Sequence, residues 1–556
     1  MAPVRRPLAS VLAAAVTGAA LYLPSAGFGF VWDDRSLIQD NRYVHDAREL
    51  RANLTGDYFR RSETPERIGH WRPAVTATFM GDWAAGGGRP AAFHLDNVLL
   101  YAAACGLVAA LAAAIGLGAG GALAAGLLFA VHPAHVESVA WISGRTDLLC
   151  GVFVLLALCC DARGARWAAG AATLGALLAK EMGLVAPAAV AMRAAILPRP
   201  PESPRRALAP HLIAVAAYAV TRLGVLGLTP KPPEAGSHGR LALFLTWWSA
   251  FLDYARVVVA PVRLCIVPGV ALETSPFAPR VLAGLALFGL VAAAAWRLRR
   301  RAPRASWGLA CFLASLLPLT NFIVPIRAPA GVAFPWAERF LFVPTIFLAV
   351  AAAAALTRAR RWVVALAAVA AVALAARTLA REGVWRDQRA LFEATVRDAE
   401  TDAGAHVDLG AALMDAGDLD GAEVHLRRAL TLAPDDAIAH FDLGNLLRGR
   451  GDLEGAAAAY ARALAANPGY PQASNNLGLV ELARGRLAEA EAAFREADRA
   501  MGGYVAAKIN LANLLRGTGR PSEAIPVFEA ALALDPDSAP ARAGLAAARR
   551  ESAAQP

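Results

Sequence analysis

Two adjacent carboxylates, Asp33 and Asp34, stand a few residues after an uncharged apolar run at 8–30. Acids at a membrane–water boundary are costly unless something uses them. A carboxylate placed there suits a general base that takes a proton from an incoming hydroxyl, and the reading leans to Asp34 for that role. The polar segment 31–92 also carries Asp40, Asn41, His45, Asp46, His70, Trp71, Arg72 and Asp82. Three further clusters mix acids with cations. His132, His135 and Glu137 precede Arg145 and Asp147. Lys180-Glu181 lies between two apolar segments, and Asn321 and Arg327 precede Glu338-Arg339. Cations hold phosphate, so acids and cations together at a membrane surface suit a lipid-phosphate substrate. Arg145, Lys180 and Arg339 are the candidates to hold it. His132, His135 and Glu137 have the residue types of a metal site. Their spacing is no recognised zinc signature, so they read as hydrogen-bonded interfacial groups, and no metal or other cofactor is expected. Lys180-Glu181 and Glu338-Arg339 read equally well as ion pairs at helix ends.

These groups must be held by membrane helices. The chain has 556 residues, 57% of them hydrophobic, and a mean hydropathy of +0.42. Soluble domains are nearer about 45–50% apolar. The excess is confined to residues 1–380, whereas 381–556 is charge-rich and regular. About 20 apolar residues span a bilayer. Candidate spans are 8–30, 93–115, 118–132, 146–160, 166–179, 182–197, 208–228, 279–296, 305–325, 337–357 and 361–379. The stretch 241–262 contains Asp253 and Arg256, with Arg263 just after it, and reads as interfacial. Positive loops face the cytoplasm. Arg5 and Arg6, DARGAR at 161–166, PRPPESPRR at 198–206 and RLRRRAPR at 297–304 then share the inner side. With eleven crossings, segment 31–92, all the clusters above and everything after 380 lie outside. The net charge of +10 sits largely in such loops, so nucleic-acid binding is not called for. Cysteines 105, 150, 159, 160, 265 and 311 lie in or beside apolar segments, with no disulfide framework. The N-terminus reads as an uncleaved anchor, since no clean A-x-A site precedes the acidic pair. Heavy use of Ala, Arg and Gly fits a high-GC bacterial genome, hence a multi-pass protein of the bacterial cytoplasmic (inner) membrane.

Residues 403–538 repeat with a period of 34. Gly410, Gly444 and Gly478 share one slot, with Ala512 next. Gly417, Gly451, Gly485 and Gly519 share another, as do Ala422, Ala456, Ala490 and Ala524. Leu426, Tyr460, Phe494 and Phe528 fill the large-residue slot. This is the tetratricopeptide period and pattern. Four repeats are expected at 403–538, a connecting helix at 381–402, and a capping helix and tail at 539–556. The fold class is all-α, a polytopic bundle followed by an α-solenoid.

With VWDDRSLIQDN, HWRPAVTATF, FHLDNVLLY, FAVHPAHVESVAWISGRTDLL, LLAKEMG and LPLTNFIVP…AERFLFVPT ahead of such repeats, the chain resembles the transmembrane and tetratricopeptide repeat containing family of O-mannosyltransferases, in the GT-C class. The resemblance implies a polyprenyl-phosphate sugar as donor and Ser/Thr hydroxyls of an extracytoplasmic protein, presented by the repeats, as acceptor. It implies Asp33 and Asp34 as the catalytic pair. The remaining family positions fall on His132, His135, Glu137, Arg145, Asp147, Lys180, Glu181, Glu338 and Arg339. The repeat array is short for that family. The rival reading is a non-catalytic membrane-anchored scaffold, which leaves eleven spans unexplained when one would anchor. A transporter would need polar groups at mid-span, and the apolar runs argue against it.

Overall fold

The computed structural model describes residues 7–58, 70–198, 203–228, 240–262, 264, 266, 272–320 and 337–554, and these are helical or irregular, with no strand among them. Contacts divide the chain into Met1–Ala394 and Thr395–Pro556. The first unit is built on α1 (Pro7–Tyr22), α2 (Pro90–Ala114), α3 (Gly118–Ala130), α4 (Arg145–Ala162), α5 (Arg166–Ala179), α6 (Val185–Ile196), α7 (Pro204–Ala219), α8 (Arg240–Val259), α9 (Pro279–Arg301), α10 (Pro303–Leu316), α11 (Phe342–Leu356) and α12 (Arg361–Glu382). Every apolar segment expected to span overlaps one of these helices. Eight helices among the described residues are long and apolar enough to cross a membrane by themselves, and a ninth if α3 and the bent turn after it count as one. The protein is therefore a multi-pass membrane protein. Helices α5, α6 and α10 have only 14, 12 and 14 residues and are packed among longer neighbours. Small residues bring helices together where no hydrophobic drive exists between them. At Gly126 an added Cβ would lie 2.5 Å from that of Ala14 and 3.1 Å from that of Ala109.

Helix α8 passes the length and hydropathy test for a crossing, and one end of it meets the turn that carries His132. The Val258 carbonyl meets His132 Nε2 at 3.0 Å. Asp253 pairs with Arg280, in the first turn of α9, at 2.7 Å, and Thr246 Oγ1 accepts from the Glu273 amide just before α9. Its Trp247, Trp248 and Phe251 rings pack around Phe288, well inside α9. The helix therefore runs alongside α9 and counts among those able to cross, where the sequence led us to expect an interfacial segment.

The second unit stacks antiparallel pairs: α14 (Ala403–Asp415) with α15 (Leu419–Leu432), α16 (Ala437–Gly449) with α17 (Leu453–Ala466), α18 (Pro471–Ala483) with α19 (Leu487–Ala500), and α20 (Val505–Gly517) with α21 (Pro521–Leu534). A connecting helix, α13 (Gln388–Asp398), precedes them and α22 (Ala539–Ala553) closes the stack. Aspartates cap successive helices: Asp402, Asp418, Asp436 and Asp452 each accept a first-turn amide, satisfying donors the helix leaves open. Leu426, Tyr460, Phe494 and Phe528 are all fully buried. At Gly444 a Cβ would lie 2.6 Å from the Tyr460 ring, so the small slot exists to seat the large one.

Candidate functional site

The site begins where α1 ends. Asp34 is fully buried. Its Oδ1 accepts from the Ser143 amide at 2.8 Å and the Ser143 hydroxyl at 2.6 Å, and its Oδ2 accepts from the Val31 amide at 3.2 Å. It thereby fastens the end of α1 to the turn that precedes α4. Burial raises its carboxyl from 3.8 to about 7, against the lowering pull of these hydrogen bonds. Asp33 is only half-buried. The residue before it, Trp32, has φ +53°, alone among non-glycine residues described. A bulky side chain in that region is strained by about 1–3 kcal/mol and needs its surroundings to hold it.

Around the pair stand Tyr58 and three groups of charge. Tyr58 is buried, which raises its phenol, and it lies within the field of Arg72, Asp33, Asp34 and Arg145. Lys180 pairs with Asp147 at 2.6 Å and its ammonium lies 5.2 Å from the Phe340 ring centre. Burial lowers Lys180; Asp147 opposes this, while the nearby cations Arg72 and Arg339 reinforce it. Glu181 gathers Arg222 at 2.9 Å, His70 at 3.7 Å and Arg72 at 3.9 Å. Burial alone would raise it, but these partners hold it well below the usual carboxylate range. Glu137 accepts from the Arg339 amide at 2.9 Å and from its guanidinium. The Arg339 guanidinium also lies 5.2 Å from the Trp141 ring, and its side chain keeps 23% of its surface exposed. Asp33, Arg72, Lys180 and Arg339 thus belong to one connected set of charges.

Other residues singled out by sequence do different work. Arg145 is fully buried. It lies 2.6 Å from Asp82 and 3.3 Å from Asp96, and donates to Asn97 Oδ1 and the Phe93 carbonyl. These contacts pin the 73–86 helix to α2 and α4. His135 spends both ring nitrogens on Tyr101 and Thr345, each at 2.8 Å. His132 accepts from the Ala134 amide and reaches the Val258 carbonyl. Both histidines are therefore struts that hold the turn after α3. Glu338 is buried 4.0 Å from Arg381. Asn321 and Arg327 lie outside the described residues. Among the described residues no three His, Cys, Asp or Glu side chains come together as a metal site.

Sequence reasoning passed over Ser143, Tyr58 and Arg222. Arg222 left a signal, a lone cation inside an apolar segment. Ser143 left none, since its partner is 109 positions away.

Tetratricopeptide-repeat models match residues 403–446, 441–504 and 481–547. The C-terminal unit is a tetratricopeptide-repeat array. Solved structures similar to it include MamA (25% identity, 26% of this chain and 84% of that one, TM-score 0.25) and pilF of Pseudomonas aeruginosa (24%, 28% and 70%, TM-score 0.26). Protein O-mannosyl-transferase Tmtc1 of Drosophila melanogaster is 43% identical over 141 residues, which make up 25% of this chain and 16% of that protein. Human Protein O-mannosyl-transferase TMTC2 is 36% identical over 151 residues, 27% and 18% of the respective lengths. Protein O-mannosyl-transferase F38B6.6 of Caenorhabditis elegans is 25% identical over 436 residues, 74% of this chain and 61% of that one. The chain is homologous to these transferases over part of its length. The match spans about a sixth of the fly and human proteins, and the relatives' names support a glycosyltransferase function.

Proposed function

We propose that the protein transfers a sugar, mannose by its relatives' names, from a polyprenyl-phosphate donor to a Ser or Thr hydroxyl of an extracytoplasmic protein. The observation that carries this reading is a connected set of charges at one end of a membrane bundle, with Asp33 in the field of Arg339, and Arg339 and Arg72 in that of Lys180. Asp33 is the general base. It is half-buried and so reachable by an acceptor, whereas Asp34 is fully buried. The acceptor oxygen attacks the anomeric carbon, and its proton passes to the Asp33 carboxylate. The bond from that carbon to the phosphate oxygen breaks, its electron pair leaves with the polyprenyl phosphate, and the anomeric configuration inverts. Arg72, Lys180 and Arg339 offset the charge on the departing phosphate. That leaving group needs no proton, so one base suffices and no metal is required. Asp34 acts through Ser143, holding Asp33 in place. We place the protein in the bacterial cytoplasmic membrane. The repeats are on the extracytoplasmic side, where their stacked hairpins offer an extended surface to an acceptor peptide.

The test is glycopeptide analysis of envelope proteins from cells carrying wild type, Asp33→Asn, or a deletion. Asn at position 33 is expected to match the deletion while the protein still inserts in the membrane at normal abundance. Unchanged glycan occupancy in the Asp33→Asn strain would sink the proposal.

A further inference from the structure

Trp32 is held in a backbone conformation that a tryptophan does not choose, φ +53°, one residue before Asp33. What holds it is specific. Its indole stacks on Trp141 at 5.2 Å and 27°, and Trp141 stacks in turn on Trp385 at 6.0 Å and 25°. The Trp32 amide donates to Gln388 Oε1 at 3.2 Å, and the Gly29 amide to the Arg386 carbonyl at 3.0 Å. Trp141 and Trp385 are 5% and 1% exposed, while Trp32 is half-buried. The three rings make a column whose two inner members are sealed and whose outer member faces out beside the acid pair. Arg339 lies against the middle ring.

We propose that Trp32 is the platform for the transferred sugar, its exposed half receiving the apolar C–H face of a hexopyranose. This rests on the glycosyltransferase reading and adds the surface that reading lacks. A sugar joined to a phosphate needs three things together: a flat apolar surface under one ring face, a cation near the phosphate, and a carboxylate near the anomeric carbon. Large aromatic rings supply the first, Arg339 the second and Asp33 the third. A column that only filled space would gain nothing from straining the backbone of its outermost ring. A platform gains, because the same backbone turn fixes the ring and the base relative to each other.

The test uses the full-length protein in lipid nanodiscs. It is titrated with polyprenyl phosphate bearing mannose, glucose or N-acetylglucosamine, and with polyprenyl phosphate bearing no sugar. One sugar-bearing lipid is expected to bind wild type about tenfold more tightly than the bare lipid. Trp32→Phe keeps most of that preference. Trp32→Gly, which accepts the positive φ without strain, loses it, while its affinity for the bare lipid and its Tm hold. If Trp32→Gly keeps the preference, or weakens both lipids equally with a lower Tm, the ring is a structural pin and the platform is overturned. If wild type binds all four lipids equally, the platform alone falls. Wild type that binds none of them overturns the glycosyltransferase reading as well.

Discussion

In the membrane unit Asp34, Glu137, Arg145, Asp147, Lys180 and Arg381 are all buried. In the repeats the ion pairs Glu423–Arg427, Glu491–Arg495 and Glu496–Arg499 lie on helix surfaces, three or four residues apart. The repeat core is instead mainly apolar, alanine and leucine around one large slot residue per unit. Buried charges are destabilising unless each finds a partner, and the membrane unit supplies one for each from a distant part of the chain. Surface pairs add little and can be exchanged freely. The membrane unit therefore accepts a constraint that the repeats avoid, which is the expected mark of a region whose charges do chemistry.

Four measurements bear on that contrast, the largest effect first. Asp33→Asn is expected to lower transfer about 10²–10⁴-fold, read as radiolabel moved from polyprenyl-phosphate sugar to an acceptor peptide, with Tm unchanged. A fall in Tm with transfer retained would make Asp33 one more structural acid. Arg145→Met leaves Asp82 and Asp96 facing each other and is expected to destabilise the membrane unit by about 3–5 kcal/mol. Thermal unfolding in detergent, followed by fluorescence, checks it.

The third measurement is pH dependence. With the Asp34 carboxyl raised from 3.8 to about 7, the folded chain keeps a proton that the unfolded chain releases between those values. The contribution of this group is then full near pH 4, falls as pH rises to 7, and is level above, by at most about 4 kcal/mol. Wild type should lose more Tm between pH 4 and 7 than Asp34→Asn does. Equal slopes would remove Asp34 from the account. The smallest effect is Arg427→Ala on an exposed repeat face, expected to change unfolding by about 0.5 kcal/mol or less. A change of several kcal/mol there would break the contrast itself.

The repeats were legible because each unit solves the same local problem 34 residues later. Even the departure at Ala512 is benign, since its methyl is fully buried in the slot. The apolar helices were legible by composition alone. Asp253 and Arg256 argued for an interfacial α8, whereas its length and hydropathy fit a crossing, and Arg280 gives Asp253 a partner. The site was legible as a set of clusters at one end of the bundle, but not as roles. Which carboxylate is sealed depends on Ser143, and whether Arg145 is available depends on Asp82 and Asp96. Sequence shows none of those distances. The strain at Trp32 is a property of a single torsion, with no signature in residue type.

The brevity of α5 and α6 has a consequence for how deep the chemistry sits. At 1.5 Å per residue, 14 and 12 residues rise about 21 and 18 Å, against about 30 Å of hydrocarbon. Lys180 and Glu181 occupy the link between these two helices. Where the other ends of these helices reach the far face of the bilayer, their link stops about 9–12 Å short of the near one. The phosphate of a membrane-borne donor then meets Lys180 by sinking slightly, without being lifted toward water. The acceptor is the partner that must travel, and a hydroxyl on a folded globular surface would not reach down to it. An extended or unfolded strand would.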